Sequence, residues 1–129
     1  MKKILTLGVI LAISLVACAD RIQMVAFNEL PVLAQNFIDK YYQRADVTYI
    51  EKEIDGLFNE YHVRLNNGTE IEFDQQGNLE HIDCHKSAVP EGIVPQLIVD
   101  YVNLHFSNQI IVEYQREDRR QQVELNNGL

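Results

Sequence analysis

The chain has 129 residues, a formal charge of −8 at pH 7 and 47% hydrophobic residues, enough apolar matter for one ordinary domain or two small co-packed units and too much for a disordered chain. Loss of an N-terminal segment containing Lys2 and Lys3 leaves the remainder at −10. That balance argues against nucleic acid or an anionic membrane as the main partner, and it fits a basic protein, a cation or simple solubility.

The opening MKKILTLGVILAISLVACAD has two lysines, an apolar run from Ile4 to Val16 and small residues after it. This is the layout of a secretory signal over residues 1–19 rather than of a membrane span. Two cleavage chemistries fit its end. Leu15-Val16-Ala17-Cys18 resembles the bacterial lipoprotein box, which makes Cys18 an acylated first residue and a lipid anchor. Ala17-Cys18-Ala19 also satisfies a small-x-small site cut before Asp20. The lipoprotein reading is preferred, because Cys18 has little other reason to be there. Cys18 and Cys84 are the only cysteines, so either outcome leaves Cys84 unpaired and excludes a disulfide framework in an oxidising compartment.

From Leu30 the residues Leu30, Leu33, Ala34, Phe37, Ile38 and Tyr41 make the stripe of an amphipathic helix, with Pro31 suited to its first turn. The pattern recurs further on as Val94, Pro95, Leu97, Ile98, Tyr101, Val102 and His105. Each helix precedes a β-rich run, Val47 to Ile54 and Ile110 to Arg116, and then a copy of Leu-Asn-Asn-Gly, at Leu65 to Gly68 and at Leu125 to Gly128. The unit is duplicated, and the second copy lacks four residues between its first two strands. In the first unit Tyr61, Val63 and Leu65 alternate with His62 and Arg64, and Asn67-Gly68 supplies the positive φ angles of a tight turn. A third strand from Thr69 to Asp74, a turn at Gln75 to Asn78 and a fourth strand from Leu79 to Cys84 complete an antiparallel meander with one helix on its apolar face.

Leu30-Pro31, Ala34, Phe37-Ile38 and Tyr41-Tyr42, followed by Tyr61, Val63, Leu65, Asn67-Gly68, Glu70-Ile71, Phe73-Asp74 and Gly77, resemble the PepSY-like periplasmic proteins, also called β-lactamase-inhibitor-like. The resemblance spans residues 28–129. It implies an α+β fold like that of the β-lactamase inhibitor protein, a tandem repeat of one helix packed on an antiparallel four-stranded meander. It also implies a small exported envelope protein without established catalytic residues, with a protein-binding or calcium-regulated role. The expected organisation is a first repeat at 28–84, a linker at 85–92 and a second repeat at 93–129. After its Leu-Asn-Asn-Gly the second repeat has only Leu129, so it is expected to be truncated, with a two-stranded sheet of its own and an open edge available for self-association.

Candidate chemistry is sparse. A metal could draw on Glu70, Glu72, Asp74, His81, Asp83 and His85, since alternate residues of a strand share a face. The oxygen donors among them suit Ca²⁺, although Asp74 to Asn78 lacks the spacing of an EF-hand loop. The plainer readings are a solvated acidic face and a polar strand end. Core packing is the default for Phe37, Tyr41, Tyr42, Tyr101 and Phe106, and burial is the default for Cys84. A partner-binding face is assigned to Tyr49, Tyr61, His62, Arg64, Glu70, Glu72, Asp74 and Tyr114, with aromatic anchors and an acidic rim that steers a basic partner. Ser87 and Ser107 lack flanking elbow glycines, and no phosphate-cradling loop occurs. The expectation is a non-enzymatic periplasmic or envelope protein that binds a protein or peptide and needs no cofactor, with a Ca²⁺ or small-ligand sensor as the alternative.

Overall fold

The computed structural model describes residues 21–129; the signal expected at 1–19 and the lipidation expected at Cys18 lie outside the described residues. The elements are β1 (Arg21–Met24), α1 (Val32–Tyr41), β2 (Val47–Asp55), β3 (Phe58–Leu65), β4 (Glu70–Phe73), β5 (Leu79–Asp83), α2 (Gln96–His105), β6 (Ile111–Glu117) and β7 (Arg120–Leu125). Both helices start directly after a proline, Pro31 and Pro95, whose fixed φ suits a helix entrance. Leu30 and Val94 therefore precede their helices and pack as buried residues just before them.

The seven strands among the described residues form one sheet in chain order, and every neighbouring pair is antiparallel. This corrects the expectation of a separate second sheet. The second hairpin instead joins the first meander through Ile82↔Tyr114 and Asp83↔Glu113. A lone two-stranded hairpin is marginal in water, and this pairing satisfies the outer edge of β5. Among the described residues β1 and β7 are the edges; β1 is an element that the repeat pattern did not announce.

The duplication is visible hydrogen bond by hydrogen bond. In the first turn Gly68 N–H donates to Leu65 O at 3.0 Å and Thr69 N–H to Asn67 Oδ1 at 2.9 Å. In the second, Gly128 N–H donates to Leu125 O at 2.9 Å and Leu129 N–H to Asn127 Oδ1 at 3.2 Å. Register shifts recur at matching places, Val47/Tyr49 and Ile111/Glu113. Both first hairpins close through two residues, Gly56-Leu57 and Asp118-Arg119, so the length difference lies in the strands. The first hairpin extends by the pairs Ile54↔Asn59 and Asp55↔Phe58.

One face of the sheet is covered. Phe73, Ile71, Ile82, Val63 and Leu65 pack there with Ala34 and Ile38 of α1, and Phe37 meets Phe73 edge-on at 5.4 Å. α2 is covered much less. Val102 is buried and Ile98 and Val99 are partly so, whereas Leu97, Tyr101 and Leu104 are 85%, 57% and 79% exposed. The expected apolar stripe of the second helix therefore faces the sheet only through its Ile98 and Val102 side. Tyr101 stacks on the exposed His105 at 4.0 Å instead of entering the core, and Leu33 of α1 is likewise exposed.

Candidate functional site

Strand alternation sends every second side chain to the face without helices. β2 contributes Tyr49, Glu51 and Glu53, β3 contributes Glu60, His62 and Arg64, β4 contributes Glu70 and Glu72, β5 contributes His81 and Asp83, and β6 contributes Glu113. Register aligns them in rows. One runs Glu51↔His62↔Glu72↔His81↔Gln115, and the next runs Tyr49↔Arg64↔Glu70↔Asp83↔Glu113↔Glu124. Like charges set side by side on adjacent strands repel, and the second row has carboxylates on four successive strands.

The imidazoles relieve that repulsion by reaching between rows. His62 places Nε2 3.2 Å from Glu53 Oε2 and Nδ1 3.3 Å from Glu72 Oε1. His81 places Nδ1 3.5 Å from Glu72 Oε2 and Nε2 2.6 Å from Glu113 Oε1. The result is a ladder of alternating carboxylate and imidazole across β2 to β6. Its hydrogen bonds and charges, those of Glu72 first, push His81 up to about 9 and outweigh the opposing effect of partial burial. His62 is raised, again chiefly by Glu72. Glu72, held between the two rings, titrates well below the usual carboxylate range. His81 is therefore an imidazolium at neutral pH.

Beside the ladder, Arg64 is paired with Glu70, and Tyr49, His62, Arg64, Glu70, Glu72 and His81 enclose a hollow of about 170 Å³ floored by Val63 and Ile71. A larger acidic cleft of about 470 Å³ opens toward the turns, with Glu60, Asp74, Glu80, Glu117 and Asp118 in its walls. Burial, together with the carboxylates of Glu60, Asp74, Glu72 and Asp118, raises Glu80.

Five of the residues assigned to the partner face come together here: Tyr49, His62, Arg64, Glu70 and Glu72. Asp74 spends its oxygens within its own turn, accepting from Gln76 N–H at 2.9 Å and Asn78 N–H at 2.8 Å. Tyr61 and Tyr114 do not belong to this face. They are 7% and 4% exposed and lie in the core beneath the helices, because they share the strand parity of Val63 and Val112. Of the proposed metal ligands, Glu70, Asp83 and His85 bring donor atoms within 4.8 Å of one another. β5 ends at Asp83, and His85 reaches back through a left-handed backbone conformation, φ +57°. Glu72 and His81 are instead partners in the ladder. Cys84 faces the core, 6% exposed, with its thiol raised mainly by burial. Glu53, Glu60 and Glu113 were missed in the sequence. The signal for the first two was the glycine at 56: with Gly56-Leu57 as a two-residue loop, Asp55 pairs with Phe58 and Glu53 falls opposite Glu60.

The family model described as "Putative beta-lactamase-inhibitor-like, PepSY-like" matches residues 17–80 and again 59–129. Similar solved structures include three proteins of this kind. A "putative calcium-regulated periplasmic protein" from Bacteroides thetaiotaomicron is 31% identical over 83% of this chain and 84% of that one, with a TM-score of 0.79. A "putative periplasmic protein" from Bacteroides vulgatus is 32% identical over 85% of this chain and 87% of that one, with a TM-score of 0.81. A second protein from Bacteroides vulgatus, described as periplasmic and of unknown function, is 32% identical over 84% and 86%, with a TM-score of 0.76. No curated protein matches the chain.

Proposed function

The chain belongs to the PepSY-like, β-lactamase-inhibitor-like family, and from that premise we propose that it is a non-catalytic periplasmic protein that binds a basic protein or peptide through its open sheet face. The observation that carries this reading is the hollow in which Tyr49 stands beside a dense, net acidic array ordered by His62, Arg64 and His81. A half-exposed tyrosine supplies contact area, and the carboxylates steer and orient a cationic partner. The non-catalytic part of the reading is supported by Cys84, whose thiol is buried and whose thiolate is disfavoured, against a role as a cysteine nucleophile. Acylation at Cys18 is retained as part of the proposal, and Cys18→Ser should then move the protein from the membrane fraction to the soluble one.

Affinity capture from envelope extract, run in parallel with the wild type and with Glu70→Lys/Glu72→Lys, tests the reading. A discrete partner on the wild type and none on the variant is the expected result. Equal recovery on both, or no discrete partner, overturns it. A second reading, a Ca²⁺-responsive protein, is favoured by the description of the relative from Bacteroides thetaiotaomicron and by the carboxylate row Glu70, Asp83 and Glu113. A ligand that binds only the folded state raises the melting midpoint, so an unchanged midpoint in millimolar Ca²⁺ dismisses it.

A further inference from the structure

We propose that Glu53, Glu60 and His62 form a binding site for a divalent transition-metal ion of the Zn²⁺ type. Glu53 and Glu60 are direct cross-strand partners in the β2–β3 hairpin, and His62 follows Glu60 on the same face. His62 Nε2 lies 3.2 Å from Glu53 Oε2 and 3.8 Å from Glu60 Oε2, and the three donor atoms all fall within 4.8 Å of one another. A tetrahedral ion with bonds of about 2.0–2.1 Å separates its ligands by about 3.3 Å. Small side-chain rotations therefore close the site, and the solvent side stays free for water.

The far side of the imidazole is already arranged for this. His62 Nδ1 lies 3.3 Å from Glu72 Oε1, and the other oxygen of Glu72 is held by His81. A carboxylate behind the ring fixes its orientation and keeps the Nδ1 proton, which leaves the Nε2 lone pair for the metal.

The second repeat supplies an internal comparison. Register places Glu117 where Glu53 stands, Arg120 where Glu60 stands and Gln122 where His62 stands. There the chain neutralises itself, with Arg120 Nη2 3.0 Å from Glu117 Oε2. In the first repeat two carboxylates oppose each other with the His62 ring between them, and a divalent ion that takes the place of the Nε2 proton offsets their repulsion more fully than a singly charged imidazolium does. One nitrogen and two carboxylate oxygens suit a transition ion, whereas Ca²⁺ takes six to eight oxygens. The other cluster is less suited. His85 turns one nitrogen to Glu70 at 3.7 Å and the other to Asp83 at 3.5 Å, and Glu70 is already engaged by Arg64.

The test is titration of tag-free, chelator-stripped protein with Zn²⁺ against a chromogenic zinc indicator, with Ca²⁺ in parallel. One equivalent of Zn²⁺ should bind in the micromolar range or tighter, with ¹⁵N NMR showing His62 Nε2 as the coordinated nitrogen. Glu53→Gln and Glu60→Gln, which keep side-chain shape, should each weaken binding at least tenfold, and His85→Gln should leave it unchanged. Absence of stoichiometric binding overturns the site. Binding that survives both glutamine substitutions also overturns it, because the ion then sits elsewhere. The titration uses no protein partner, so its result is separate from that of the capture experiment.

Discussion

Nε2 of His81 lies 2.6 Å from Oε1 of Glu113 and joins the last strand of the first repeat to the first strand of the second on the face opposite the helices. The two halves of the duplication are thus tied by an ion pair above the seam as well as by the backbone pairing β5–β6 beneath it.

The hold of Glu72 first, and of Glu113 with it, on the His81 ring predicts a stability lost in alkali. His81 titrates at about 9 in the folded chain, above its unfolded value of about 6.5. The stabilisation is fully present below the unfolded value and disappears as pH rises through about 9. The difference is worth at most about 3 kcal/mol, and screening at a partly solvated site leaves about 1–2 kcal/mol. Urea midpoints should fall between pH 6.5 and 9.5, and His81→Gln should flatten that decline. A variant with the same slope as the wild type would show that other groups cause it.

Gly77 predicts a steric cost. Its φ is +91°, and a Cβ there would meet Ala34 N and Pro31 Cβ at 2.8 Å. Gly77→Ala should destabilise by about 2 kcal/mol, from left-handed strain plus displacement of the start of α1. Gly56→Ala is the comparison, because φ is also positive there but nothing lies within 4 Å. Its cost should be the smaller of the two in chemical denaturation.

The helices should respond unequally to loss of apolar side chains. Ile38→Ala removes a fully buried side chain packed against the sheet and should cost about 2–5 kcal/mol. Leu97→Gln and Leu104→Gln remove exposed ones and should stay within about 0.5 kcal/mol of the wild type. Thermal melting distinguishes these outcomes, and a large loss at Leu104 would mean that α2 is covered in solution.

Cys84 should be silent in the native state. Its thiol is buried 3.8 Å from Tyr42 Oη and its ionisation is disfavoured by desolvation, so alkylation at neutral pH should wait for unfolding. Mass spectrometry after a timed iodoacetamide pulse, with and without denaturant, reads this directly. Rapid labelling of the folded protein would contradict the burial.

Much of this fold was legible because local chemistry dictates it. Proline marks both helix entrances, Asn-Gly marks the turns that follow β3 and β7, and alternation in β3 separates Val63 and Leu65 from His62 and Arg64. The same alternation puts Tyr61 on the covered face. A tyrosine fills a core as well as it anchors a partner, so residue type alone does not choose its side. What local pattern lacks is the identity of the neighbouring strand. Asp83↔Glu113 joins residues separated by α2, and no periodicity distinguishes one extended sheet from two. The ladder and the Glu53/Glu60 opposition share this property, since each depends on register across strands. In α2 the apolar positions outnumber those the sheet can cover, so a broad stripe overstates the buried face.

Strand order in the sheet is the same as strand order in the chain. A polypeptide emerging N-terminus first can therefore add each strand to an edge already in place, without holding a long unpaired segment for a distant partner. Loop closure is short at every hairpin and longer only where α1 or α2 intervenes, which favours rapid assembly from local contacts. The duplicated meander is, in kinetic terms, a sheet that can be laid down progressively during synthesis or export.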